Sequence, residues 1–229
     1  VSQTIVAIMP ALNEAQAIGA VLRNLPTALS YVVVVDNGST DDTAAIAQAA
    51  GAIVVSEPIR GYGAACLRGI AEARRLMADI IVFLDADGAD DPNDIALIVQ
   101  PVLDNEADMV IGSRIRGSRE PGSLTPPQVF GNWLATTLIA LVWGVRFTDL
   151  GPLRSVRATS LERMNMQDRS YGWTVEMQIK AAKLGLRSLE LPVAYRRRVG
   201  VSKISGTVRG TVMAGTIIIS TIARHAFSK

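Results

Sequence analysis

Two residue types that build many small catalytic and structural sites are almost missing from this chain. Its 229 residues include one cysteine, Cys66, and one histidine, His225. A single thiol excludes an intramolecular disulfide, a cysteine-based zinc site and a disulfide-stapled secreted scaffold. Small apolar neighbours mark Cys66 as a buried, inert thiol. A single imidazole leaves no material for a histidine metal cluster and gives a Ser-His-Asp triad little to work with. Net charge is only +2, which singles out no polyanion and argues against a nucleic-acid partner. Long apolar runs are short or interrupted. Residues 129–145 carry Asn132, Thr136 and Thr137, and 210–223 is uncharged but brief. A spanning helix needs about 20 apolar residues, so both stretches read as buried or interfacial helices. The first residues lack the charged-then-apolar layout of a signal peptide, and the start at Val1 rather than Met suggests either trimming or a chosen boundary.

What is present is a globular mix, 49% hydrophobic and 19% charged. Apolar runs at 4–9, 31–35, 52–55, 79–85 and 108–111 read as buried strands. Between them lie helical patterns over about 14–28, 42–50, 63–77 and 93–105, with Asn13 and Asp91 as N-caps and Gly51 as a C-cap residue. Strands alternating with helices at this spacing imply βαβ units and an α/β fold with a mostly parallel sheet. The second half is less regular. A loop rich in Gly, Ser, Pro and Arg over 112–128 leads to helices near 128–144, 158–165 and 173–185, with a short strand or turn around 146–148. A strand broken at Pro192, a basic loop and a last helix near 206–226 follow. No repeat or linker divides the chain. The expectation is one domain, with a nucleotide-binding half over 1–111 and an acceptor-binding half over 112–229.

The sharpest motif is Asp85-Ala86-Asp87, at the end of the 79–85 strand. In an extended strand, residues i and i+2 share a side, so the two carboxylates present their oxygens to one point. Open α/β sheets bind ligands at that strand end, and oxygen-rich sites suit Mg²⁺ or Mn²⁺ bridging to phosphates. The plainer reading is a pair of ordinary loop and cap acids. Acids gather over 79–108, whereas Arg and Lys gather at 114–119 and 196–203. That asymmetry suits a metal surrounded by anionic ligands. Two other phosphate-binding schemes fit poorly. A dinucleotide-binding fold places a glycine-rich turn after its first strand, and here that turn is Pro-Ala-Leu-Asn-Glu. The later Gly61-Tyr62-Gly63 lacks the third glycine, and a P-loop is absent.

The ordered set Pro10-Ala-Leu-Asn-Glu14, Val-Asp36-Asn-Gly-Ser-Thr-Asp, Asp85-Ala-Asp87, Val-Ile-Gly-Ser-Arg114 and Gly200-Val-Ser-Lys203 resembles the family 2 glycosyltransferases. Within them the likeness is to the synthases that load sugars onto dolichyl or polyprenyl phosphate. It runs over nearly the whole chain. The resemblance implies a GT-A fold: a Rossmann-like, mostly parallel sheet covered by helices on both faces. It also implies site roles. Pro10, Leu12, Asn13, Glu14 and Asp36 would hold the nucleotide's base and ribose. Asp85 and Ala86 would lie beside the ribose or metal, and Asp87 would be the principal ligand of Mg²⁺ or Mn²⁺. Arg114, with Arg119 nearby, would clamp an acceptor phosphate, and Arg154 matches a similar Asp-to-Arg segment of relatives. Arg197 and Lys203 would close over the diphosphate, with Arg196 and Arg198 able to share that role. Two departures stand out: Ala89 lies near the place where relatives often carry a Gln, and Asp-Leu-Gly-Pro-Leu-Arg replaces their Ser-Gly-Phe-Arg.

The implied chemistry is one inverting displacement at the sugar's anomeric carbon, from a UDP-glucose or GDP-mannose type donor to a lipid phosphate. A hydroxyl acceptor, in a glycolipid or small polar molecule, would need a general base. Glu176 is the candidate, with Trp173 nearby either stacking on sugar or packing in the core. A sugar nucleotidyltransferase is a third reading, against which the glycine-free first turn counts. On a helical projection Val208, Val212, Ile219, Ile222 and Ala226 share a face that would lie either on a bilayer or on the core. The expected setting is cytoplasmic, with peripheral contact at the inner face of a membrane.

Overall fold

The computed structural model describes residues 3–200 and 208–227, the latter with side chains from 213 onward. A seven-stranded sheet in the order β3-β2-β1-β4-β6-β5-β7 forms the centre. The strands are β1 (Ile5–Ala11), β2 (Tyr31–Asp36), β3 (Ile53–Ser56), β4 (Ile80–Phe83), β5 (Met109–Ser113), β6 (Arg154–Arg157) and β7 (Ser188–Pro192). All adjacent pairs are parallel except the two made by β6, which runs antiparallel to both β4 and β5. The α/β class and the mostly parallel sheet therefore stand.

Alternation along each strand sends side chains to two separate cores. Val6, Ile8, Val33, Val35, Ile81, Phe83, Met109 and Ile111 face one way. Ile5, Ala7, Met9, Val34, Ile80, Val82 and Val110 face the other. The first core is covered by α3 (Tyr62–Arg75), α5 (Pro126–Trp143), α6 (Ala158–Met164), α7 (Trp173–Lys183) and α8 (Val208–Phe227). The second is covered by α1 (Ile18–Arg23), α2 (Thr43–Ala49) and α4 (Asp94–Leu103). Both faces of the sheet are thus buried, which is why its strands read as continuous apolar runs.

Several sequence expectations change at the strand ends. β1 does not stop before Pro10 but continues to Ala11, paired with Asp36 of β2. Its pairing with β4 ends earlier, at Ile8 opposite Phe83. Ile8 takes its carbonyl bond from Leu84 and Ala11 from Asn37, so even-numbered residues face β4 and odd ones β2. Pro10, which has no N–H to give, thus falls on the side where β4 has already left. β4 itself ends at Phe83, so Asp85 and Asp87 sit in the turn beyond it and not on an extended strand. The first helix shrinks to Ile18–Arg23, and Asn13 does not cap it. Its φ is +53°, in the left-handed region that Asn tolerates, and its Oδ1 accepts the backbone N–H of Thr40 at 2.7 Å. Asp91 accepts from the backbone N–H of Asn93 at 3.1 Å, closing a turn ahead of α4 with no helix-capping bond. Gly51 does follow α2 with φ +88°, as a helix-ending glycine. The largest miss is β6. Arg-Ser-Val-Arg carries no apolar run, and no strand was expected there.

The Gly61-Tyr62-Gly63 motif has a packing role. A Cβ on Gly63 would lie 2.1 Å from the carbonyl oxygen of Asp168, and one on Gly61 would lie 2.0 Å from that of Arg169. The N–H groups of Gly63 and Ala64 donate to the carbonyls of Ser170 and Arg169. This end of α3 is therefore filled by the chain's own backbone rather than offered to a phosphate.

Candidate active site

A cavity of about 690 Å³ opens at the carboxyl ends of β1, β4 and β5. Pro10, Leu12, Asn13 and Glu14 follow β1 into one wall, with Arg60 and Tyr62 beside them. Asp85, Ala86 and Asp87 form the floor, and Arg114, Tyr195 and Arg198 stand across from them. The far wall is less charged. It comprises Leu124, Pro127 and Gly131 before and on α5, Thr174 on α7, and Ala214, Gly215 and Ile218 on α8. Asp36 is not part of the lining; its Oδ1 accepts the backbone N–H of Ser39 at 3.1 Å.

The floor is a cluster of acids. Asp87 is 2% exposed, and its Oδ1 accepts the N–H of Ala89 at 2.9 Å, shaping the turn. Asp90, 3% exposed, accepts the N–H of Asp85 through Oδ2 at 3.3 Å, while its buried Oδ1 finds no partner among the described residues. Burial, and then the charge of Asp87, push the Asp85 carboxyl up to about 7, with Arg198 and Tyr62 pulling the other way. Asp90 is raised well above the usual carboxylate range by burial and by the charges of Asp85 and Asp87. Carboxylates crowded in a low-dielectric floor favour a cation. The donors are all oxygens, and Asp90 contributes an unmet buried acceptor, so the residues fit a hard divalent ion. Among the described residues no three His, Cys, Asp or Glu side chains make a ready metal cage. A cation here would take part of its coordination from elsewhere, and a bound diphosphate can supply it.

Arg114 is held firmly. Its backbone N–H and Nε both donate to Asp149 Oδ2, at 2.7 and 2.8 Å, and Nη2 donates to Oδ1 at 2.7 Å. Its guanidinium also lies over the ring of Tyr195, 5.0 Å from the centroid. Burial alone would lower the Arg114 pKa, but Asp149 outweighs it and keeps the group charged. Asp149 is itself fully buried, and Asn132 fixes its neighbours by donating to the Thr148 carbonyl and accepting from the Leu150 N–H, both at 2.8 Å. Sequence reasoning passed over both residues. The signal was the polar Asn132 inside an apolar helix, together with the Asp that opens the Asp-Leu-Gly segment.

The basic loop separates three arginines that the sequence cannot. Arg196 donates its backbone N–H to Ala89 and Val199 to Asp87, laying the segment across the acidic turn. With the chain extended, alternate side chains share a side. Arg196 pairs with Asp91, and Arg198 pairs with Asp87 and comes within 4.0 Å of Glu14. Arg197 points the other way, its N–H to Glu120 and its Nε to the Pro121 carbonyl at 2.7 Å. The structure therefore puts Arg198, not Arg197, in the cavity. Lys203 lies outside the described residues.

Further expected residues are placed elsewhere. Glu176 does not line the cavity. Its buried carboxylate accepts the N–H groups of Gln167 and Asp168 and pairs with Lys180 at 2.8 Å, so it is a poor general base. Trp173 is 1% exposed and packs edge-on against Phe83, as core. Arg119 is exposed and outside the lining. Arg154 is 1% exposed and joins Gly151, Thr174 and Gln178. Burial lowers its pKa to about 10.

The profile of "Glycosyl transferase family 2" matches residues 6–171. The chain belongs to this family. Among its relatives in the family is an uncharacterized glycosyltransferase of Mycobacterium tuberculosis, 37% identical over 210 residues, covering 90% of this chain and 92% of the relative. An undecaprenyl-phosphate mannosyltransferase of Micrococcus luteus is 29% identical over 220 residues, covering 90% and 89%. Among solved structures, glucosyl-3-phosphoglycerate synthase of Mycobacterium tuberculosis, in complex with Mn²⁺ and UDP-glucose, superposes with a TM-score of 0.74. It is 26% identical, with 98% of this chain and 79% of that one covered. The GT-A fold and a glycosyltransferase activity follow for this family 2 chain.

Proposed function

We propose that the protein moves a hexose from a nucleotide-diphosphate sugar to a polyprenyl or dolichyl phosphate, with inversion and with a divalent metal. The observation that carries this reading is the polarity of the cavity. Its acidic floor suits a metal and a diphosphate, whereas Arg114 and the apolar wall from α5 and α8 suit an anionic head on an apolar chain. Asp87, with Asp85, would hold Mg²⁺ or Mn²⁺, which would neutralise charge on the diphosphate leaving group. Mn²⁺ and UDP-glucose in the synthase complex, and the named lipid-phosphate acceptor of the Micrococcus luteus relative, support this assignment.

The residues of the chain then divide the work. Pro10, Leu12, Asn13 and Glu14 hold the nucleoside end against the wall after β1. Arg114, fixed by Asp149 and Tyr195, presents its remaining N–H groups to the acceptor phosphate. An acceptor phosphate oxygen attacks the anomeric carbon while the bond to the diphosphate breaks. Such an oxygen is anionic near neutral pH and needs no protein base. That agrees with the lining, whose carboxylates among the described residues are Glu14, Asp85 and Asp87, all at the donor end. Positioning and fixed charge carry the rate.

A hydroxyl acceptor that itself bears an anion is the second reading, favoured by the fold shared with glucosyl-3-phosphoglycerate synthase. The test is transfer from radiolabelled UDP-glucose and GDP-mannose, with and without Mn²⁺, to polyprenyl phosphate, 3-phosphoglycerate and diacylglycerol. Metal-dependent transfer to polyprenyl phosphate is expected. Transfer only to 3-phosphoglycerate or diacylglycerol would reject the lipid-phosphate assignment.

A further inference from the structure

The acidic floor already holds a cation: the Arg198 guanidinium, bonded to Asp87. Asp87 is almost fully buried, and a lone buried carboxylate beside Asp85 and Asp90 would be costly. Arg198 removes that cost when no donor is present. Its own bonding is incomplete among the described residues, where its buried Nε finds no acceptor. Among the described residues the site therefore contains one unmet donor, Arg198 Nε, and one unmet acceptor, Asp90 Oδ1. An oxyanion satisfies the first and a cation the second. Backbone bonds on either side, from Arg196 to Ala89 and from Val199 to Asp87, fix the loop, so a change of partner needs only the side chain to move.

We propose that Arg198 is a resident counter-cation of this seat that gates how the metal enters. Without nucleotide it occupies Asp87 and opposes binding of a free divalent cation. With metal and diphosphate both present, Arg198 would release Asp87 to the metal and shift its guanidinium to the diphosphate oxygens. The site thus accepts the metal–nucleotide pair and disfavours the bare ion. This rests on the reading of Asp87 as the metal–diphosphate seat.

The test compares the wild type with Arg198→Gln, measuring binding of Mn²⁺ alone by electron paramagnetic resonance. Binding of UDP and GDP at saturating Mn²⁺ is measured by calorimetry. In Arg198→Gln, Mn²⁺ alone binds roughly tenfold tighter, whereas the nucleotide binds roughly tenfold weaker. A merely structural role would weaken both. Arg198→Lys keeps the charge and so keeps the weak binding of Mn²⁺ alone. Arg196→Gln, which loses only the contact with Asp91, leaves both affinities at wild-type values. Should Arg198→Gln fail to fold, Arg198→Met carries the same expectation. Tighter Mn²⁺ binding with weaker nucleotide binding supports the proposal. Unchanged or weaker binding of Mn²⁺ alone, against normal wild-type nucleotide binding, overturns it. A wild type that binds neither nucleotide with Mn²⁺ overturns the reading of the seat, and the gate with it.

Discussion

Asp87 and Asp91 differ by four positions in one acidic loop, yet their surroundings set them apart. Asp87 lies on the cavity floor beside Asp85, whereas Asp91 closes a turn and meets Arg196 at the rim. We expect Asp87→Asn to cut metal-dependent kcat/KM by at least roughly a hundredfold, as loss of a main electrostatic contact does. Asp91→Asn should change it little. Initial rates across a Mn²⁺ titration check both. Glu176 gives the complementary case. Its carboxylate holds two backbone N–H groups and Lys180, so Glu176→Gln should cost about 1–3 kcal/mol of stability by urea denaturation. Transfer to a phosphate acceptor should stay within about twofold at temperatures where the variant is folded. A large loss of kcat in folded Glu176→Gln would restore it as a base. That the motif residues after β1 and β4 meet in one cavity was legible, because both segments follow strand ends on the same side of a parallel sheet. Glu176 and Arg197 were not, since the side of the helix or ribbon a residue faces depends on contacts that sequence spacing does not contain.

At the scale of elements, buried strands and helices with regular apolar spacing were readable, and β6 was not. Arg154 to Arg157 is polar at three of four positions. Its strand geometry comes from lying between β4 and β5 and from buried partners for Arg154 along α7. Tertiary context, not local propensity, makes it a strand. The first glycine pair shows the opposite case, a legible motif with an ambiguous meaning. Gly63 is needed because backbone meets backbone where α3 abuts residues 168–170, and a Cβ there would sit 2.1 Å from a carbonyl oxygen that has little room to retreat. Gly63→Ala is expected to destabilise by about 2 kcal/mol or more through overpacking, measured as a lower denaturation midpoint. Gly131→Ala, where a Cβ meets nothing within 4 Å, is the control, expected to be neutral or slightly stabilising.

The molecule as a whole sets an apolar surface beside the cavity. No helix among the described residues is long and apolar enough to cross a membrane. The expected face of α8 divides: Ile222 is buried, Ile219 and Ala226 are exposed, and Val208 and Val212 lie outside the described side chains. The helix packs on α5 and α7, and Ile222 is the member of that face which belongs to the core among its described side chains. Besides Phe227 at the end of α8, exposed aromatics lie on α5, where Phe130 and Trp133 are 59% and 58% exposed with ring centroids 5.8 Å apart. They are one helix side away from Pro127 and Gly131 of the cavity wall. If the acceptor is the lipid phosphate proposed above, its head would have to reach Arg114 while its tail stayed in lipid, and an aromatic ledge near the mouth would suit a bilayer interface. The double variant Phe130→Ser, Trp133→Ser should keep its denaturation midpoint, since neither ring is in the core. Its binding to anionic vesicles should weaken on the order of tenfold, from two partly buried rings. Transfer to long-chain polyprenyl phosphate in those vesicles should fall with it, while transfer to a short, water-soluble prenyl phosphate stays unchanged. Equal loss on both acceptors would place the two rings in the catalytic architecture, and no loss on either would take the ledge out of acceptor delivery.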